Sequence, residues 1–118
     1  MKFVNCTPHD IVIFDAEGTK EIARFPAEKG REARVDEQDV NHGTLNGIEV
    51  KQRSYDKIIG LPEPDEDTYY IVSMIVLLAN EILEPPYWRN DLISPDTGNG
   101  AVRNEKGMIV GTKNFVCL

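Results

Sequence analysis

The sequence predicts an α+β fold with an α/β-like core, in which one βαβ unit and one buried helix are completed by β-hairpins in a mixed sheet. Residues 68–72, Thr-Tyr-Tyr-Ile-Val, are β-branched or aromatic and favour a strand. A buried helix is predicted from about residue 73 to residue 83, because residues 74–83 are apolar on nearly every side. Pro85 and Pro86 then stop the helix, and a second short strand over residues 91–95 completes the βαβ unit.

The segments before this unit are predicted to be mainly strands. Residues 2–4 form a short strand, and residues 11–14 and 22–25 pair as a hairpin across a turn that contains Gly18. Pro26 ends the second strand of that hairpin.

The middle of the chain is less regular. Residues 27–38 are charged and lack a sustained period, so we expect a loop there, apart from a short edge strand at residues 33–35. Turn residues between 43 and 47 precede an alternating strand at residues 48–52, which has one solvent-exposed face. Residues 55–59 are expected to extend this strand after a bend. Residues 60–67 contain two prolines and cannot continue a central strand.

The C-terminal part is predicted as a loop followed by a hairpin. Residues 96–100 are rich in glycine and polar side chains and form the loop. Residues 101–103 pair with residues 108–111 across the turn at residues 104–107.

Composition favours one globular domain over residues 1–118, since 41% of the chain is hydrophobic and single domains commonly have about 100 to 150 residues. The net charge of −7 repels phosphate backbones and argues against general nucleic-acid binding. An acidic surface provides solubility, or it imitates nucleic acid and occupies a basic partner.

No membrane association is expected, because the longest apolar run is about ten residues and a bilayer span needs about 20. Cys6 and Cys117 lie at opposite ends of a chain without a leader pattern, so we expect reduced thiols and a cytoplasmic location.

The best candidate site lies at the carboxyl ends of the two predicted parallel strands. Ser73, Ser94, Asp96 and Thr97 would meet at this edge, where open α/β sheets bind ligands. Ser73 also begins the helix, where free N–H groups favour an anion. The plainer interpretation of Ser73, and the favoured one, is a helix N-cap.

Three larger side chains accompany this edge. Arg89 and Arg103 could grip a phosphate or carboxylate with two hydrogen bonds, or could form ordinary surface ion pairs. Trp88 either packs against the end of the helix, which we favour, or stacks on a planar ligand or partner. Exposed apolar residues around Trp88 would be compatible with a homo-oligomer.

Cys6, His9 and Asp10 hold the ingredients of a thiol nucleophile or a metal site. A Cys-x-x-His pair supplies only two of the four ligands that zinc prefers, so His9 is better explained as a turn residue whose ring bonds to the backbone. No metal and no other cofactor is expected.

Segments spread over most of the chain resemble a family of small, mostly uncharacterised proteins of tailed phages, prophages, plasmids and some bacterial genomes. The resemblance is carried by Asn5-Cys6-Thr7-Pro8-His9, Gly60-Leu61-Pro62-Glu63-Pro64, Thr68-Tyr69-Tyr70-Ile71-Val72-Ser73, Arg89-Asn90-Asp91-Leu92 with Pro95, and Val102-Arg103 followed by Gly107, Ile109 and Gly111. It implies a mobile-element context and a ligand or partner surface on the loops, where sites tend to lie. Cys6 stands where similar sequences usually have an aliphatic residue, which further disfavours a thiol mechanism.

The function predicted first is a phage or mobile-element accessory protein that binds a small anionic, nucleotide-derived ligand and sequesters a host immune signal. An acidic inhibitor of a host defence protein is the second hypothesis. A small nucleotide hydrolase is the third hypothesis. Catalysis would need a general base or a metal, and the spacing of the ionisable residues indicates neither.

Overall fold

Ten strands and one helix are found in residues 1–83 and 87–118, the part of the chain that the computed structural model describes. In chain order the elements are β1 (Lys2–Asn5), β2 (Ile11–Phe14), β3 (Glu21–Phe25), β4 (Arg34–Leu45), β5 (Ile48–Ile59), β6 (Thr68–Ile71), α1 (Met74–Glu81), β7 (Leu92–Pro95), β8 (Ala101–Arg103), β9 (Ile109–Thr112) and β10 (Phe115–Val116). The predicted helix stop at Pro85 and Pro86 lies outside the described residues.

The first sheet has the strand order β1-β6-β7-β10 and contains the predicted βαβ unit. β6 pairs with β7 in parallel, with Tyr70 opposite Leu92 and Ile71 opposite Ile93, and α1 connects the two strands. β1 joins the other edge of β6, also in parallel, whereas β10 runs antiparallel to β7. The βαβ prediction is therefore confirmed. The short strand β10 was not predicted.

Helix α1 is buried on one face only. Val76 and Leu77 are 1% and 2% exposed, but Leu78 is 51% exposed. The prediction of a helix buried on nearly every side is wrong for Leu78, and for Ile75 and Ile82 as well, because only one side of the helix is covered by neighbouring elements.

The second sheet has the strand order β3-β2-β9-β8 and contains both predicted hairpins. β2 and β9 join them through the parallel pairing of Ile13 with Thr112. Gly111 permits this contact, since a Cβ there would lie 2.5 Å from a ring carbon of Phe14 and 2.7 Å from the Val12 carbonyl oxygen.

β4 and β5 form a separate two-stranded hairpin, which we call the arm (residues 34–59). The edge strand predicted at residues 33–35 lies at the start of β4, but the predicted loop is wrong at residues 36–38, where β4 continues. The strand predicted at 48–52 and its extension over residues 55–59 form the single strand β5. Asn46 and Gly47 form the turn with φ values of 51° and 80°, as in a type I′ hairpin.

Two clusters hold these parts together. Cys6, Tyr70, Val72, Val76, Leu77 and Leu92 form the main core with Ala33 at the base of the arm. The rings of Phe3, Phe25 and Phe115 lie 5.5 to 6.2 Å apart and join the first sheet to β3 of the second. The chain is thus a small, mostly β domain in which most of the parallel pairing lies among β1, β6 and β7. Within the described ranges, no helix has the length and apolar content that crossing a bilayer requires.

Candidate functional site

A cavity of about 470 Å³ lies where the carboxyl ends of β1, β6 and β7 meet, and we call it the strand-end cavity. All three strands run in the same direction, so the segments that follow them emerge at one edge of the sheet. The lining consists of residues 7–12, Ser73, Met74, Ser94, Pro95, Thr97 and residues 109–112.

Three predicted site residues are brought together in this lining. Ser73 follows β6, Ser94 lies in β7 and Thr97 follows β7. The parallel arrangement of β6 and β7, which was the basis of the prediction, is what places these hydroxyl groups beside one cavity.

Ser73 occupies the N-cap position of α1, with φ −66° and ψ 158°, but its side chain makes no capping hydrogen bond. The predicted side-chain cap is therefore wrong. Because the hydroxyl is not used to close the helix, it remains free to bond to a molecule in the cavity, beside the N-terminal end of α1 at Met74.

Ser94 is 1% exposed and lines the cavity. Among the described residues, no buried side-chain nitrogen or oxygen is left without a hydrogen-bond partner, so Ser94 is a candidate because of its position beside the cavity. An occupant that forms a hydrogen bond to its hydroxyl would gain affinity.

Asp96 lies beside the cavity but its carboxylate faces the loop that follows. It accepts hydrogen bonds from the Gly98 and Gly100 backbone N–H groups (2.9 and 3.1 Å) and from the Asn114 side chain (3.3 Å). The Gly98 N–H bond is the main cause that lowers the pKa of Asp96 below its usual value. Asp96 therefore shapes the loop that carries Thr97.

The turn after β1 supplies one cavity wall that the sequence did not assign to the site. Asn5 is 4% exposed, and its side-chain N–H₂ donates to the His9 and Phe25 carbonyl oxygens, both at 2.8 Å. Its carbonyl oxygen accepts the N–H and the hydroxyl of Thr7, at 2.9 and 2.7 Å. Asn5 and Thr7 thus fix the turn that places His9 at the cavity.

His9 is a turn residue, as predicted, but the bonding is different from the prediction. Its main-chain carbonyl accepts the hydrogen bonds from Asn5 and Thr7, whereas its ring forms none with any described residue. The exposed imidazole is consequently free at the cavity. The Asn-x-Thr-x-His spacing after a predicted strand was the signal that could have found this wall.

The opposite wall comes from the second sheet. Residues 109–112 of β9 and residues 11–12 of β2 face the strand ends, and most of these side chains are apolar. This wall could not be placed from the sequence, because it depends on how the two sheets pack.

The two predicted arginines lie elsewhere. Arg103 is exposed and donates to the Gly107 carbonyl within its own hairpin, at 2.7 Å. Arg89 makes two bonds to the Asp91 carboxylate (3.0 and 2.8 Å), donates to the Pro62 carbonyl and lies 5.1 Å from the centre of the Tyr70 ring. Neither guanidinium lines the strand-end cavity.

Trp88 is 41% exposed, so the favoured prediction that it packs at the helix end is wrong. It lines a second cavity of about 640 Å³ together with Arg89, Tyr87 and Leu61. Trp88 and Arg89 therefore belong to a different surface from Ser73, Ser94 and Thr97.

Cys6 does not form a site with His9 and Asp10. The thiol is fully buried in the core, and this burial raises its pKa, so the nucleophilic thiolate is disfavoured. The Asp10 carboxylate accepts the Ala27 N–H at 2.8 Å. Over the described ranges, no three His, Cys, Asp or Glu side chains come close enough to hold a metal ion.

The strand-end cavity is therefore mainly apolar, with hydroxyl groups at the strand ends and only His9 and Asp10 as ionisable side chains; its described lining contains no lysine or arginine. No protein-family model, curated protein or solved structure matches this chain. The chemistry of the cavity is thus the best guide to what the protein does.

Proposed function

We propose that the protein is a binding module that holds a small ligand in the strand-end cavity. The observation that carries the proposal is the convergence of Ser73, Ser94 and Thr97 beside one cavity, at the carboxyl ends of parallel strands. The volume of about 470 Å³ falls in the range of small-molecule sites, roughly 300 to 1,000 Å³.

The lining favours a ligand with an apolar or planar body and one polar end. Ile11, Ile109 and Val110 offer apolar contact on one side, and the hydroxyl groups offer hydrogen bonds on the other. The N-terminal end of α1 at Met74 favours a negative charge at that polar end, and the free ring of His9 can donate a hydrogen bond there.

The lining limits the ligand's charge as well. With no lysine or arginine in the described wall and with Asp10 nearby, a triphosphate would be poorly neutralised. We therefore propose a nucleotide-derived ligand with about one phosphate. A more strongly anionic ligand would have suited a site that contained Arg89 and Arg103, but neither arginine lines this cavity.

The biological role we propose follows from the resemblance to phage and plasmid proteins: the module sequesters a nucleotide-derived host immune signal. Inhibition of a host defence protein through the acidic surface, and hydrolysis of a nucleotide, stay predictions. The cavity supports ligand binding more directly than inhibition or hydrolysis. Its free groups are hydroxyls and one imidazole, and the described residues show no catalytic pair with a general base and no metal site.

A ligand screen by thermal shift and calorimetry tests the proposal, using nucleosides, nucleoside monophosphates and cyclic nucleotides as probes. The matched variants are Ser94→Ala and Ser54→Ala, which remove the same atom from the cavity and from the exposed arm. A hydrogen bond to a charged ligand group is worth about 1.5 to 3 kcal/mol, so Ser94→Ala should weaken binding roughly 10- to 150-fold.

Ser54→Ala and Arg103→Ala should bind like the wild type, since neither residue lines the cavity. A ligand whose affinity is lost in Arg103→Ala and kept in Ser94→Ala would place the site at the last hairpin. Failure of every probe to raise the unfolding temperature would remove the support for a nucleotide-derived ligand.

A further inference from the structure

The arm is unusual in standing as a sheet of only two strands. β4 and β5 pair with each other over nearly their whole length of 12 residues each, and among the described residues no third strand joins either edge. A two-stranded hairpin is marginally stable in water on its own. The arm therefore gains stability if one of its faces is covered.

The register assigns each side chain to one of two faces, because directly paired residues share a face and faces alternate along a strand. One face carries the charge, through the pairs Glu37–Tyr55, Asp39–Arg53, Asn41–Lys51 and Thr44–Glu49. Ion pairs agree with this assignment: the Arg53 guanidinium lies 3.2 Å from the Glu37 carboxylate and 2.8 Å from that of Asp39. We call this the charged face.

The opposite face holds no charged side chain between residues 38 and 54, and we call it the uncharged face. The register shifts between Asn41 and Gly43, so β4 has one extra residue there. Because of this bulge, the apolar residues near the tip lie on the same face as Val40. Its members are Gln38, Val40, Gly43, Leu45, Ile48, Val50, Gln52 and Ser54. Val40, Leu45 and Ile48 are 60%, 69% and 70% exposed.

We propose that the uncharged face of the arm packs on the same face of a second copy of this chain. Two copies with a net charge of −7 repel each other, and a contact without charge on either side is where that repulsion is weakest. A second copy necessarily brings an apolar strip of matching length and spacing. A basic partner or a nucleic acid would instead be drawn to charged parts of the surface.

The size of the face sets the expected strength. The uncharged face runs from Gln38 to Leu45 along β4, so about eight residues at about 3.4 Å each make it about 27 Å long, and two strands about 5 Å apart make it roughly 10 Å wide. About 270 Å² per copy is about a third of the roughly 800 Å² per partner of a standard interface. The dimer is accordingly weak and concentration-dependent, with two-fold symmetry because the contact uses the same patch on both copies.

Sedimentation velocity of the wild-type chain over a concentration series tests this directly. The mass should rise from 13.3 kDa toward twice that value as concentration increases from about 1 μM to about 1 mM, the range in which weak complexes form. Ile48→Asp should raise the dissociation constant more than about tenfold, since it places two like charges in the contact.

Thr44→Asp is the matched control, because it adds the same charge on the charged face one pair away from the tip. A second pair, Val40→Lys and Asn41→Lys, repeats the comparison with the opposite charge, and circular dichroism checks that all four variants fold. A wild type that stays monomeric at all concentrations overturns the proposal. So does a dimer that survives both uncharged-face variants, or one that is lost equally in both members of a pair.

Discussion

Neighbouring leucines in α1 offer a direct test of which helix face is buried. Leu77 is 2% exposed and belongs to the main core, whereas Leu78 is 51% exposed. Leu77→Ala should lower the free energy of unfolding by about 2 to 5 kcal/mol, which combines the lost burial of the side chain with the cavity left behind. Full burial of a leucine is worth about 1.5 to 3 kcal/mol, so Leu78→Ala should cost at most about 1 kcal/mol.

Leu78→Ala is a well-matched control, because the two variants remove the same atoms from adjacent positions of one helix. Alanine favours helix slightly more than leucine, which reduces the loss at Leu78 further and changes Leu77 by the same small amount. Urea unfolding followed by circular dichroism measures both, with the slope against denaturant reporting whether the unfolded states are comparable. Equal losses for the two variants, or a larger loss for Leu78→Ala, would refute the one-sided burial of α1.

Two further predictions concern the edges of the strand-end cavity. Gly111→Ala should destabilise the fold by about 1 to 3 kcal/mol, because the added carbon would clash with the Phe14 ring and the Val12 carbonyl. Gly107→Ala is the control: its added carbon would contact nothing, so its loss of stability measures the strain of a positive φ alone. The pKa of Asp96 is lowered, so its ionised carboxylate stabilises the folded state at pH values above 3.8, the ordinary pKa of the group. This contribution is lost as pH falls through the pKa of the folded state, so the difference in free energy of unfolding between the wild type and Asp96→Asn should narrow between pH 7 and about pH 3. A difference that does not depend on pH would contradict this role of Asp96.

The βαβ unit could be predicted because its segments are long enough, apolar enough and distinct in period. Residues 68–72 and 91–95 are short apolar strands on both sides of a helical run, and a parallel pair needs such a crossover. Burial around the helix could not be predicted in the same way. Its composition is apolar on most sides, but only the packing of the arm and the first sheet determines which side is covered.

Residues 36–38 of the arm were predicted as a loop for a physical reason. Strand predictions rely on alternation between a buried and a solvated face, and almost every residue of β4 is exposed. The second strand of the arm gave clearer signals, through the alternation at residues 48–52 and the Asn46-Gly47 turn, where both residues adopt positive φ at a two-residue hairpin.

The candidate site was predicted where it depended on the direction of neighbouring strands, and missed where it depended on tertiary packing. Ser73, Ser94 and Thr97 follow from parallel pairing alone. Arg103 follows a loop that could have turned toward them, but its guanidinium bonds within its own hairpin. Arg89 bonds to Asp91 and lies over the Tyr70 ring. The two-residue spacing makes the contact with Asp91 plausible from the sequence, whereas the contact with Tyr70 depends on the fold.

The cavity and the arm are attached to the core in different ways, which separates the two proposed activities. The cavity lies between the sheets, and its walls stay together through the Phe3, Phe25 and Phe115 cluster and the Asn5 hydrogen bonds. The arm instead joins the core at its base, where the Ala33 N–H donates to the Cys6 carbonyl and Gly60 passes close to the backbone of residue 32. Because the exposed tip at Leu45 and Ile48 shares no lining residue with the cavity, a change there should alter association without altering the ligand site. The proposed ligand binding and the proposed self-association should therefore respond to different single substitutions.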